Sequence, residues 1–260
     1  MSDIERELHK RICILTLNRP SKINALNSQL LSSLHSALEE AIEDPAVKVI
    51  LLKANGKHFS AGADINWMQN MLGLSEEENI KDAMVLANVL HTLHFSPKPT
   101  VASVQGAAYG GGAGLVAACD FAIASTSAHF CFSEVKLGLI PAIISPYVIK
   151  AVGPKIAKWL FISAEKINAE QAKEYHLVQY CVEDSKLDLF SLEKALHLAQ
   201  LPPEAVTDCK NLVNQVTGQA ITEKLIQHTA TLIAKKRVSI EGQAGMKAFI
   251  EKGSNNAKVQ

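Results

Sequence analysis

The chain has 260 residues, 48% of them hydrophobic, with 26 Lys plus Arg balancing 26 Asp plus Glu. That length carries one large domain, or one domain plus a smaller lobe, with ample material for a core. Zero net charge argues against a nucleic-acid surface, which needs a basic excess, and no apolar run reaches the roughly 18 residues of a membrane span. The five cysteines form no C-x-x-C and read as reduced thiols. The opening "MSDIERELHK" lacks an apolar secretory core. Together these predict a soluble, cytoplasmic protein.

In chain order, "RICILTLNRP" predicts a strand that ends in a turn at Asn18-Arg19-Pro20. "NSQLLSSLHSALEEAIED" places Leu30, Leu31, Leu34, Leu38 and Ile42 at helical spacing, with Asn27 as N-cap and Pro45 as stop. "VKVILLKAN" reads as a buried strand and "EEENIKDAMVLANVLHTLHFS" as a second long helix. "PTVASVQGAA" reads as a strand running into Gly110-Gly111-Gly112. Alternating strands and helices set the class as α/β. Beyond Glu134 the alternation weakens. "SPYVIKAVGPKIAKWLFIS" and "NAEQAKEYHLV" predict helices, the second capped by Asn168, and "QYCVED" predicts a short strand. From Leu201-Pro202-Pro203 only helical patterns follow, which predicts a core over 1–200 and a helical region over 201–260.

The glycine run sits at a strand–helix junction. The first turn of a helix leaves its N–H groups unpaired, and glycine lets a ligand approach the backbone closely. Such a junction suits an anion or a developing negative charge; tight strand-on-helix packing without a ligand is the plain alternative. A second junction of this kind is "KHFSAGADINWM", residues 57–68, where Asp64 suits a helix start. Two junctions aiming one N–H each at a single carbonyl oxygen would make an oxyanion hole, in which one donor is worth roughly 3 kcal/mol of transition-state stabilisation.

Other chemistries have less support. "GAGLVA", residues 112–117, with Glu134 following, matches the G-x-G-x-x-A dinucleotide fingerprint and its ribose-binding acid, so an NAD-binding oxidoreductase stands as an alternative. Against it, two strand–helix pairs precede the motif. His91 and His94 have no obvious carboxylate partner and no H-E-x-x-H occurs, so no metal is expected. G-x-S-x-G and P-loop motifs are absent.

The segments "RPSKINALN", "FSAGADINWM", "GAAYGGGAGLVAACDFAIA" and "FSEVKLGLIPAIISPYV", with the tail "EGQAGMKAFIEKG", resemble in order and spacing the crotonase, or enoyl-CoA hydratase/isomerase, family across essentially the whole chain. The resemblance implies a spiral of repeated ββα turns with a C-terminal helical trimerisation region, and assembly as a trimer or hexamer. It implies an acyl-CoA thioester substrate, no nucleic-acid or membrane partner, and no cofactor, CoA being part of the substrate. It assigns the oxyanion hole to the N–H groups of Ala63 and Gly111. It assigns CoA contacts to Lys22, Ile23, Ala25, Ala61, Asp64 and Ile65, with Phe249 and Lys252 at the nucleotide end. Family hydratases commonly hold a water between two glutamates. The second is Glu134 here, but the first position is Gly114, which cannot titrate. "IPAIISPYVIKAVG" departs from the glycine-rich turn of straight-chain hydratases and resembles that of hydratases of branched or carboxylated enoyl-CoAs, such as 3-methylglutaconyl-CoA in leucine degradation. Ile143, Ile144, Ser145, Tyr147 and Trp67 would then shape the acyl pocket. The expected activity is a lyase that hydrates an enoyl-CoA. A Δ3,Δ2-enoyl-CoA isomerase, a decarboxylase and a non-catalytic acyl-CoA-binding trimer are the alternatives.

Overall fold

In the computed structural model, which describes residues 2–256 with side chains through Glu251, the chain opens with an antiparallel hairpin of β1 (Ile4–His9) and β2 (Ile12–Leu17). Its turn residues, Lys10 and Arg11, have φ of +44° and +72°, the sign a two-residue hairpin demands at both positions. A 3₁₀ turn (Pro20–Lys22) leads to α1 (Ser28–Glu43), whose N-cap Asn27 accepts a hydrogen bond from the Leu30 N–H at 2.8 Å. Then come β3 (Val49–Ala54), α2 (Ile65–Met71) and α3 (Glu76–Phe95), the last started by a reciprocal Ser75–Glu78 capping box.

The stretch expected as one strand into the glycines is two, β4 (Thr100–Val104) and β5 (Ala107–Tyr109), in different sheets. The chain breaks at Gly106, where φ is +56° and where a Cβ would meet the His58 ring nitrogen at 2.5 Å. The glycines then begin α4 (Gly111–Ala118), followed by β6 (Phe121–Ser125) and β7 (His129–Cys131). The strand-like pattern of "HFCFSE" runs on to Glu134, but the strand ends at Cys131, short of it. Glu134 starts a 3₁₀ turn, Glu134–Leu137. Next are α5 (Ser145–Ser163), broken by non-helical Gly153 before Pro154, β8 (Ile167–Asn168), α6 (Ala169–Glu174) capped by Asn168, and β9 (Tyr180–Val182). Helix α7 (Leu187–Gln200) is not among the expected elements.

The main sheet has the order β1-β2-β3-β4-β6-β9, parallel except for the β1–β2 pair; β5, β7 and β8 form a second, three-stranded sheet. Successive strand residues face opposite sides, and β3 shows what each side meets. Ile50, Leu52 and Ala54 enter the large core with α1, α3, α4 and α5. Val49 and Leu51 enter a smaller core with Leu187, Ala195 and Ala199 of α7. Helices therefore cover both faces, which explains why β3 reads as a continuous apolar run.

The chain divides into two compact units, Met1–Ala199 and Gln200–Gln260. The second holds α8 (Pro203–Val216), α9 (Glu223–Val238) and α10 (Ile240–Asn256). Glu241 accepts from the Glu204 and Ala205 N–H groups at the start of α8, at 3.1 and 2.8 Å. Lys236 reaches Asp208 at 2.8 Å.

Candidate active site

The site is built where the two strand–turn–helix junctions meet. Ser60 bridges to Ala108: its N–H donates to the Ala107 carbonyl at 2.9 Å and its carbonyl accepts from the Tyr109 N–H at 3.0 Å. On the other flank Leu26 bridges to Ala63, donating to the Gly62 carbonyl at 2.7 Å and accepting from the Asp64 N–H at 2.8 Å. A parallel bridge of this kind uses the residues on either side of Ala63, so the Ala63 N–H points away from the bridge, and the residue is exposed. Gly111 is the first residue of α4, so its N–H has no intrahelical partner. Neither N–H donates a hydrogen bond among the described residues. The junctions are close packed: a Cβ on Gly62 would lie 3.3 Å from the Tyr109 carbonyl, and one on Gly112 would lie 2.7 Å from the Ser60 Cβ.

Gly110 sets the entry to α4. Its φ of +47° with ψ of −119° is a backbone state that residues with a Cβ avoid, and its N–H is held by the Cys131 carbonyl at 2.9 Å. A Cβ there would stand 3.2 Å from Glu134 Oε1. The carboxylate of Glu134 thus lies against the glycine run. Its Oε2 is buried with no hydrogen-bond partner among the described residues. Burial pushes the carboxyl pKa up, with its own backbone N–H pulling partly back. The Cys131 thiol is also raised, by burial first and by the Glu134 charge, with Lys136 and Lys166 opposing that rise, and it donates to the Ala164 carbonyl at 3.4 Å. A carboxylate with one oxygen buried and unpartnered and a raised pKa is a candidate proton-transfer group.

Gly114 lies one helical turn from Gly110, its N–H donating to the Gly110 carbonyl at 3.0 Å. A Cβ at 114 would lie 2.9 Å from Ile144 Cβ and closer still to Ile144 Cγ2. Ile144 is buried, whereas Ile143 and Tyr147 pack half-buried against the core. Ser145 Oγ donates to the Ala142 carbonyl at 2.8 Å. The glycines of the G-x-G-x-x-A motif lie inside α4, where they receive Ser60 and Ile144.

The loop ahead of α1 is pinned from below. Asn24, fully buried with φ of +49°, donates to the Asn55 and His58 carbonyls, both at 2.9 Å, and accepts from the Arg19 N–H at 2.8 Å. Arg19 donates to the Ala25 carbonyl at 2.7 Å and to Asp64 at 3.1 Å. Asp64 caps α2 through the Asn66 N–H at 2.9 Å. Burial opposes its ionisation, but that N–H and the Arg19 guanidinium outweigh it and hold the carboxyl below its usual range. Ala25 is buried, Lys22 and Ile23 are exposed, and the Ala61 N–H donates to the Ile23 carbonyl at 3.0 Å. The loop therefore touches the first junction directly. Ile65 is 73% exposed at the start of α2, and Trp67 donates its indole N–H to Asp82 at 2.8 Å. A cleft of about 170 Å³ opens between Arg19, Asn27, Asp64, Trp67 and Asn70. A larger hollow, about 670 Å³, lies elsewhere, among Lys53, Lys57, His58, His129, Asp184 and Asp188.

Phe249 is exposed on α10 of the second unit; the Lys252 side chain lies outside the described residues. Among the described residues no three His, Cys, Asp or Glu side chains group as a metal site would need, and no helix is long and apolar enough to cross a membrane. The sequence pattern marks Arg19 only as part of a turn and does not single out Asn24. For Asn24 a signal existed, since asparagine is one of the few residues that tolerate left-handed backbone. Asn24→Ala leaves two part-buried carbonyls without this donor and lowers stability by about 1–3 kcal/mol, measurable by urea denaturation.

The enoyl-CoA hydratase/isomerase family model matches residues 7–259. The chain belongs to that family. It is 31% identical over 261 residues to the Escherichia coli 2,3-dehydroadipyl-CoA hydratase, covering 99% of each chain. It is also similar to a solved crotonase-family protein from Legionella pneumophila, with 56% identity, a TM-score of 0.94 and 97% of each chain covered. An enoyl-CoA hydratase structure from Shewanella pealeana matches at 39% identity and a TM-score of 0.93, over 96% of this chain and 94% of that one. The fold is the crotonase fold, and the enzyme is of the hydratase/isomerase type.

Proposed function

We propose that this crotonase-family enzyme adds water across the double bond of an α,β-unsaturated acyl-CoA, with Glu134 as the acid–base group and the N–H groups of Ala63 and Gly111 as the oxyanion hole. The observation that carries this reading is the buried Glu134 carboxylate, unpartnered at Oε2, against a glycine run whose first helical N–H is free. Glu134 takes a proton from water as the water oxygen bonds to C3. The π electrons move onto the thioester, whose oxygen gains negative charge between the two N–H groups, and a proton delivered to C2 completes the 3-hydroxyacyl-CoA. Donors fixed in advance around the oxygen stabilise that charge without reorganisation, and the macrodipole of α4 has its positive end there.

The exposed stretch of Lys22 and Ile23, with Ala25, Ala61, Asp64 and Ile65, forms the CoA-binding rim in this reading, and Phe249 and Lys252 serve the nucleotide end. Ile143, Tyr147 and Trp67 bound the acyl side. A branched or carboxylated acyl group such as 3-methylglutaconyl is the preferred substrate; the dicarboxylic substrate in the name of the Escherichia coli relative supports the class. Exposed Ile226, Ile240 and Phe249 of the C-terminal unit support self-association as a trimer or hexamer. A panel of enoyl-CoAs tests the assignment. Carboxylated substrates are expected to be hydrated faster than straight-chain ones of equal length, and equal rates would reject the preference. A 3-enoyl-CoA converted to a 2-enoyl-CoA with no hydration would replace the lyase by the isomerase.

A further inference from the structure

Gly110, the N-cap of α4, and Gly114 within the helix are linked by the Gly114 N–H to Gly110 carbonyl hydrogen bond at 3.0 Å. What lies against each is different. At Gly110 it is the Glu134 carboxylate, 3.2 Å from where a Cβ would stand; at Gly114 it is the Ile144 side chain, 2.9 Å away at its Cβ. Ile144 is 2% exposed, anchored among the buried residues of the large core at the amino end of α5. Backbone and a β-branched side chain at this depth have little freedom to retreat. Position 114 accordingly accepts no side chain, least of all a charged one, while Ile144 stays. No second carboxyl is among the charged and titratable groups around Glu134 in the described residues: Cys131 on β7 and Tyr147 on α5 are both raised by burial, Lys136 shares its own turn, and α4 and Ile144 bring nothing titratable.

We propose that Gly114 and Ile144 are a matched pair that bars a second acid–base group from this face of α4 and leaves both proton transfers of the hydration to Glu134. This rests on the hydratase reading above. The proton that Glu134 removes from water, as the water oxygen bonds to C3, is the one it returns to C2 as the enolate collapses, so the carboxylate ends the cycle as it began. Ile144 is the positioning residue of this arrangement: it touches neither proton but fills the space that a side chain at 114 would occupy.

Four proteins test the pair: wild type, Gly114→Ala, Ile144→Ala and the double variant. An alanine inside a helix is ordinarily better than glycine. Here Gly114→Ala is expected to lower the melting temperature in the Ile144 background and to raise it, or leave it unchanged, in the Ile144→Ala background. Equal shifts in the two backgrounds would overturn the match, whatever the enzyme's reaction. The chemistry is read from the pH dependence of kcat/KM on a 2-enoyl-CoA. Wild type is expected to show one acidic limb and a plateau, and Gly114→Glu/Ile144→Ala a second limb from the added carboxyl. A second carboxylate-range limb in wild type would overturn the single-group mechanism. Wild type that turns over no enoyl-CoA would overturn the hydratase reading and this mechanism with it, while the melting data would still decide the pairing.

Discussion

Glu134→Gln lowers turnover by about 10²–10⁴-fold, the usual worth of a positioned acid–base group, while CoA binding survives and the protein melts at a higher temperature at pH 7. The amide keeps the shape of the carboxyl and removes the group that titrates. The stability gain follows from the raised pKa. Burial makes the folded state hold this proton more tightly than the unfolded state, whose glutamate pKa is about 4.3. Stability therefore falls as pH rises from the unfolded value to the raised folded value, and the full penalty applies above both. Glutamine escapes that penalty at pH 7. Below about pH 3 the carboxyl is neutral in both states, and the two melting temperatures converge. A variant that loses activity and also loses stability at neutral pH would show that Glu134 is a structural carboxylate with satisfied partners.

Gly111→Pro removes one oxyanion donor and lowers kcat by about 10²–10³-fold. Proline is tolerated at the first helical position because that N–H bonds nothing within the helix. The added Cβ meets the Leu26 and Leu86 side-chain ends at 2.9 and 3.3 Å, methyl groups rather than backbone, so circular dichroism should report a folded protein. The discriminating readout is the division between kinetic constants. A donor used on the developing oxyanion is felt in kcat more than in KM. An equal loss confined to KM would place Gly111 in substrate binding, and unchanged kinetics in a folded variant would remove it from the site.

Local rules made much of the fold legible. Asn27 and Asn168 cap the helices expected of them, and β3 is the buried strand its apolar run predicts. The misses have physical causes. β1 hides because Glu5, Arg6 and Glu7 are exposed and charged on both faces and its turn uses Lys10-Arg11 rather than a glycine pair. Helix α7 hides because its buried seam is Leu187, Ser191, Ala195 and Ala199, small residues after the first, while Leu189 is 63% exposed on the outside. The division of "PTVASVQGAA" depends on how closely His58 approaches Gly106, a contact across 48 residues that no local pattern encodes. At the site, the glycine run and the acid at 134 could be read as chemistry from their types. What stands in the place of a side chain at 114 could not, because Ile144 reaches Gly114 only once α5 is folded against α4.

If Glu134 adds solvent oxygen to an enoyl-CoA, incubating the enzyme with a 2-enoyl-CoA in ¹⁸O-labelled water and measuring the product mass gives a 3-hydroxyacyl-CoA carrying one ¹⁸O atom, formed by wild type and nearly abolished in Glu134→Gln. An unlabelled, isomerised or shortened product, or a labelled product formed equally fast by Glu134→Gln, would contradict that role.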